Sequence, residues 1–237
     1  MSRRTAARPP GLTGLGAWIL FGALTALVLA RGGTPLGPDD RLLSWSVGHR
    51  PPPAQFLARG VTFTGTGAVP YLLAATAGLV ASGPGRHRLR AVALCVACLA
   101  AGQALRYGLM ELVQRARPPR ADWATHATGF AYPSGHTTTS AVTAGLLIAA
   151  LTLRAPRGAT PLRIAVACWG VSVGLTRVYL GVHWSTDVVG GWLFATGWLG
   201  GCLWAAARWL PESFTTDTPR TPAAQRAEDR APDDPGR

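Results

Sequence analysis

The apolar residues of this chain are gathered into six long blocks, and the charged ones lie mostly between them. The blocks run at about 12–30, 61–82, 91–113, 137–153, 162–180 and 188–209. An α-helix rises about 1.5 Å per residue, so about 20 residues cross a hydrocarbon core about 30 Å thick. Inside lipid the backbone must satisfy its own hydrogen bonds, which leaves helices as the economical solution for such blocks. The pattern therefore predicts an all-α, polytopic membrane protein: a six-transmembrane-helix bundle over 11–210. Residues 1–10 are expected to be a cytoplasmic basic tail. Residues 211–237, rich in Pro, Thr, Asp and Arg, are expected to be a disordered cytoplasmic tail. The first block follows Arg3 and Arg4 as a signal peptide would, but its length and the spans after it argue for a retained helix.

Charge supplies the orientation. The formal net charge is +12, and all 23 Lys-or-Arg residues are arginine. The arginines punctuate apolar blocks rather than forming one basic stripe, so nucleic acid is not an expected partner. The short stretches 83–90 and 154–163 are dense in Arg, as is the N-terminal tail. The positive-inside rule puts all three in the cytoplasm. Stretches 31–60, 114–135 and 177–187 then face the other side, although Arg31, Arg41, Arg50 and Arg59 along the longest of these count against it. The Arg-, Ala- and Gly-rich, lysine-free composition is that of a GC-rich genome, so a bacterial plasma membrane is expected. The four cysteines all lie in apolar blocks. Cys95 and Cys98 have metal or redox spacing, but no second pair completes a site, and they are expected to be small buried helix residues.

The outward-facing stretches hold the chemistry. His183 and Asp187 are four residues apart, so at a helix entrance they share a face. The carboxylate can accept a hydrogen bond from one ring nitrogen and leave the other nitrogen's lone pair for a substrate. The plain alternative is an Asp that only caps a helix. Pro133-Ser134-Gly135-His136 stands just before an apolar block. A tight turn at Gly135 and the N–H groups that follow make an anion site; Ser134 can donate to a phosphate oxygen and His136 can protonate a leaving alkoxide. The alternative is an ordinary Ser cap beside an exposed His. Arg117 and Arg177, at the outer ends of two blocks, suit bidentate phosphate binding, or else interfacial snorkelling. Taken together, the set suits transfer of a phosphoryl group to a histidine and then to water, with no metal-ligand motif beside it.

These motifs, Arg117-Pro118, then Pro133-Ser134-Gly135-His136, then Thr176-Arg177-x5-His183-x3-Asp187, resemble those of the type 2 phosphatidic acid phosphatase superfamily, related to vanadium haloperoxidases and glucose-6-phosphatase. The resemblance covers about 91–209 by motif. It implies that His183 is the nucleophile, Asp187 its orienting carboxylate and His136 the acid for the leaving group. It implies that Arg117, Ser134, Gly135 and Arg177 cradle phosphate, and that no cofactor or metal is needed. The expected partners are membrane lipids and a phospholipid or polyprenyl (di)phosphate substrate. A catalytically weak relative that binds or moves phospholipid is the alternative.

Two positions depart from the family pattern. Thr176 stands for a Ser and keeps the hydroxyl. Met110 stands for the first motif's Lys, and losing one such cation costs on the order of 10²–10³ in rate by analogy with an oxyanion-hole donor. Arg106, one helical turn earlier, is the expected replacement. Arg115 and Arg120 are loop alternatives, and Glu111 is an alternative partner for Arg106.

Overall fold

The computed structural model describes residues 3–82, 87–154 and 158–209, and among them every regular element is helical. Eight α-helices follow in order: α1 Arg3–Ala30, α2 Gly37–Gly48, α3 Pro52–Phe63, α4 Ala68–Ser82, α5 Arg88–Val113, α6 Gly135–Arg154, α7 Thr160–Tyr179 and α8 Ser185–Trp209, with a short 3-10 turn at Arg120–Asp122. The expected tail after residue 210 lies outside the described residues. Residues 3–10, expected as a tail, are the opening turns of α1.

Among the described residues, four helices are long and apolar enough to cross a membrane: Pro10–Ala30 of α1, α5, α6 and α8. A fifth span results if α3 and α4 are counted as one bent by 51°. α7 has the length of a span, 20 residues, but Arg163 and Arg177 lie within it and lower its hydropathy. The structure thus bears out a helical bundle with membrane-spanning character, and the count of six rests on α7.

The stretch 31–60 is not the polar loop its composition suggests. α2 starts where Asp39 turns back to accept the Leu36 N–H at 3.0 Å, a side chain capping its own helix. α3 starts at Pro52-Pro53, because proline's fixed φ and missing N–H suit the first helical turn. The second apolar block straddles a break at Thr64-Gly65-Thr66-Gly67, where Gly67 has φ +64° and the helix changes direction. A side chain on Gly65 would collide with Val173, so the break lets α3 lie against α7.

Close backbone contact holds the bundle together. α1 packs on α8 where Gly14 meets Gly200: a Cβ on Gly200 would lie 2.5 Å from the Gly14 Cα. α4 meets α5 at Gly78, where a Cβ would lie 2.5 Å from the Val92 Cα. Small residues at such crossings give van der Waals contact where lipid supplies no hydrophobic drive. Phe21, Val28, Tyr132 and Phe194 form an aromatic core between α1, α8 and the segment before α6, and Tyr132 Oη lies 2.9 Å from Thr25 Oγ1. The C-terminal ends of α5 and α7 and the N-terminal ends of α6 and α8 therefore gather at one end of the bundle. Arg88, Arg154 and Arg163 lie at the other ends of α5, α6 and α7.

Candidate active site

A cavity of about 490 Å³ opens at this gathered end. It is lined by Arg106 and Met110 of α5, Arg117 of the α5–α6 connection, Gly135 and His136 of α6, Arg177 of α7, and His183 of the α7–α8 connection. Segments distant in sequence thus deliver the cationic and imidazole groups of all three motifs to one wall.

His183 is 2 % exposed. Its Nε2 lies 2.8 Å from Arg117 Nη1, which can only donate, so Nε2 carries the lone pair. Nδ1 then carries the hydrogen and donates to Asp187 Oδ2 at 3.4 Å. Burial holds the His183 ring well below the ordinary histidine pKa, and the charges of Arg117 and Arg177 and the nearby His136 push the same way. The native ring is neutral where an unfolded one, at about 6.5, would begin to protonate. Below about pH 6.5 the unfolded chain takes up a proton that the native chain refuses, so stability falls as pH falls. The drop in apparent Tm between about pH 7.5 and 5.5 is therefore expected to be smaller in His183→Ala than in wild type; equal drops would show an accessible ring.

Asp187 does more than orient His183. Oδ2 also accepts the Trp184 N–H at 2.9 Å, capping α8, so capping and orientation are one geometry. Oδ1 is paired with Arg115 Nη1 at 2.6 Å, and both side chains are fully buried. Arg115, by sequence a loop alternative for the missing lysine, faces Asp187 and Asp39 rather than the cavity. Arg120 stacks over Trp123 and does not line the cavity either.

Arg177 is 2 % exposed and bonds Thr62 Oγ1 at 3.0 Å, while its Nε is buried without a partner. A buried guanidinium N–H left unbonded beside a cavity is costly unless an acceptor arrives there. Arg117 is tied to the carbonyls of Thr128, Gly129 and Val182 at 2.7–2.9 Å, which holds its fork against His183. Gly135 begins α6, whose first-turn N–H groups have no helical acceptor. The Ser134 N–H bonds the Asp187 carbonyl at 3.1 Å and joins the entrance of α6 to that of α8. Ser134 itself, fully buried, accepts the Thr137 hydroxyl at 2.9 Å and is not part of the cavity wall, in contrast to the expected phosphate donor.

Arg106 reaches the wall as its spacing suggests. Its Nε bonds Gln103 Oε1 at 3.3 Å and its Nη1 lies 3.3 Å from Met110 Sδ, so its bonds go to these rather than to Glu111. Its Cζ lies 3.4 Å from where a Cβ on Gly135 would sit, directly over the start of α6. Sequence reasoning does not find the roles of Arg115, Asp39 and Thr62. No motif contains Asp39 or Thr62, and only their burial in the fold distinguishes them from other loop polar residues.

The PAP2 superfamily model matches residues 90–211, just over half of the chain. The chain belongs to the PAP2 superfamily. Curated relatives include phosphatidylglycerophosphatase B of Bacillus subtilis (strain 168), 36% identical over 86 residues, 35% of this chain and 42% of the relative. They also include an undecaprenyl-diphosphatase of Sulfolobus acidocaldarius, 42% identical over 29% of this chain and 30% of the relative. A lipid A 1-phosphatase of Rhizobium etli is 38% identical over 31% and 28%. The matched segments therefore span less than half the length of these relatives. The fold resembles the crystal structure of a transmembrane PAP2-type phosphatidylglycerolphosphate phosphatase from Bacillus subtilis, with a TM-score of 0.66 and 23% identity over 85% of this chain and 96% of that one.

Proposed function

We propose that this PAP2 protein is a membrane phosphatase that hydrolyses a phosphate or diphosphate ester on a lipid carrier through a phosphohistidine on His183. The observation that carries this is the environment of His183. One ring nitrogen is tied to Asp187, and the other presents its lone pair to a cavity rimmed by Arg117, Arg177 and Arg106. The three curated relatives are named for lipid-borne phosphates or diphosphates, which supports the same substrate class.

The chemistry runs in two displacements. Arg117 exchanges His183 Nε2 for a phosphoryl oxygen, which frees the lone pair. Nε2 attacks phosphorus, the P–O bond to the lipid breaks, and His136 gives the leaving oxygen a proton. Asp187 stabilises the cationic ring. His136, now a base, takes a proton from water. The hydroxide displaces His183 from phosphorus and inorganic phosphate leaves. Three guanidiniums and the α6 N-terminus hold the equatorial oxygens throughout, so the charge stabilisation comes from groups already in place.

The setting suits a lipid. With α3–α4 taken as one span and α7 as another, the chain would cross six times and its two ends would share a side; the arginines at the far ends of α5, α6 and α7 support the cytoplasm for that side and an extracytoplasmic cavity in a bacterial plasma membrane. The cavity then lies at headgroup depth. The second reading, a protein that binds or moves phospholipid without cleaving it, draws on Met110 in the lysine position.

Phosphate release by purified, detergent-solubilised protein tests the proposal, with phosphatidate, phosphatidylglycerol phosphate and undecaprenyl diphosphate as substrates. Release is expected from at least one, at the same rate with and without EDTA. A rate abolished by EDTA and restored by a divalent ion would overturn the metal-free mechanism. No release from well-folded protein would favour the binding reading.

A further inference from the structure

Arg115 is a fully buried guanidinium with every edge occupied. Its Nε donates to the Gly33 carbonyl at 3.2 Å. Nη1 donates to Asp187 Oδ1 at 2.6 Å and Thr186 Oγ1 at 2.7 Å. Nη2 donates to Asp39 Oδ2 at 2.8 Å and the Thr34 carbonyl at 3.3 Å. Asp39, also fully buried, accepts from the Leu36 N–H, the Ser185 hydroxyl at 2.7 Å, and the Thr186 N–H and hydroxyl at 2.8 Å each. Burial alone would push the Asp39 carboxyl up, but the bonds from Leu36, Ser185 and Thr186 outweigh it and hold it below the usual carboxylate range.

A buried ionic cluster is a poor way to gain stability, because desolvation consumes most of the attraction, and apolar replacements of the same size often serve as well. Its position is what distinguishes this one. It ends one hydrogen bond from His183. Arg115 engages Oδ1 of Asp187 and thereby fixes the carboxylate plane, leaving Oδ2 to face His183 Nδ1 and the Trp184 N–H. Asp39 fixes Arg115 and also the first residues of α8, on which Asp187 rides. Lysine could not do this, since only the guanidinium fork meets two carboxylates at set angles. The two acidic side chains and one guanidinium stand behind the ring, opposite the cations in front of it.

We propose that Arg115, at an unspecified position within the first family motif, and Asp39, outside all three motifs, are positioning residues for the reaction: they set the tautomer and aim of His183 through Asp187. The proposal rests on the phosphatase reading for its kinetic consequence, but not for its structural one.

The test uses the full chain in detergent, as wild type, Arg115→Lys and Asp39→Asn. Two readouts go beyond folding. Ring-15N-histidine NMR, with the His183 signal assigned by its loss in His183→Ala, reports the tautomer. Steady-state kinetics on whichever lipid the wild type hydrolyses separates kcat from KM. The wild type is expected to show the Nδ1–H form. Arg115→Lys is expected to mix the two tautomers, and both variants to lose about 10–100-fold in kcat with KM within about twofold, as for outer partners of metal-bound histidines. Should Arg115→Lys fail to fold, Asp39→Asn, which keeps the side chain's shape, carries the test. Folded variants with wild-type kcat and an unchanged tautomer would overturn the proposal while leaving the phosphatase reading standing. A wild type that releases no phosphate, with the tautomer still lost in Arg115→Lys, would sink the phosphatase reading and keep the positioning role.

Discussion

His183→Ala releases no measurable phosphate from any lipid that the wild type hydrolyses, a loss on the order of 10⁵–10⁶ in kcat by comparison with removal of other catalytic nucleophiles. The loss is this large because the ring is proposed to form the covalent bond to phosphorus, and its neighbours on the cavity wall have other work. Arg106, Arg117 and Arg177 hold no lone pair at neutral pH, and His136 is committed to the leaving oxygen. The fold is expected to survive. Asp187 keeps the Trp184 N–H at 2.9 Å and Arg115 at 2.6 Å, so the substitution leaves no buried charge unpaired. Monodisperse gel filtration beside the rate measurement checks this. A variant that elutes as wild type and still turns over would remove His183 as the nucleophile and point to His136, a half-buried imidazole on the same wall.

Arg106→Ala costs on the order of 10²–10³ in kcat, the amount expected for removing one preorganised donor to a developing anion. The structural ground is its place over Gly135, whose Cα hydrogen side faces the guanidinium so closely that an added Cβ would sit 3.4 Å from Cζ. The cationic head lies on the cavity wall. Met110 does not merely omit a lysine. Its sulfur lies 3.3 Å from Arg106 Nη1, and its side chain is 5 % exposed, so it helps to hold the arginine's head. Met110→Lys is therefore expected to leave the rate near wild type or below it, since a second cation would meet Arg106 at close range. Restoration of Arg106→Ala by a second change, Met110→Lys, would be the strongest support for the exchange of one cation for another. A wild-type rate in Arg106→Ala would exclude Arg106 from the transition state.

The apolar blocks are legible because the demand they answer is local. A stretch of about 20 apolar residues must become a helix in lipid whatever surrounds it. The same locality makes His183 and Asp187 readable, since four residues along a helix entrance put them on one face. It also makes Arg106 readable as a neighbour of Met110. Where sequence and structure part, a tertiary contact is the deciding term. The bend after α3 falls where Gly65 leaves room for Val173, more than a hundred residues away. The polar look of 31–60 conceals two helices, because Asp39 and the proline run act as helix starts only in a particular geometry.

Helical membrane architecture and the residue types of the site thus follow from sequence alone, because hydrophobic length and helical spacing are properties of short segments. What each polar residue faces is settled by the packed chain. Arg117 and Arg115 are two positions apart, yet one turns to the cavity and the nucleophile while the other turns inward to two carboxylates. Ser134 and Gly135 are adjacent, yet only Gly135 lines the cavity. Burying a charge is tolerable only where partners wait for it, and those partners, Asp39 and Asp187, come from helices that meet only in the folded chain.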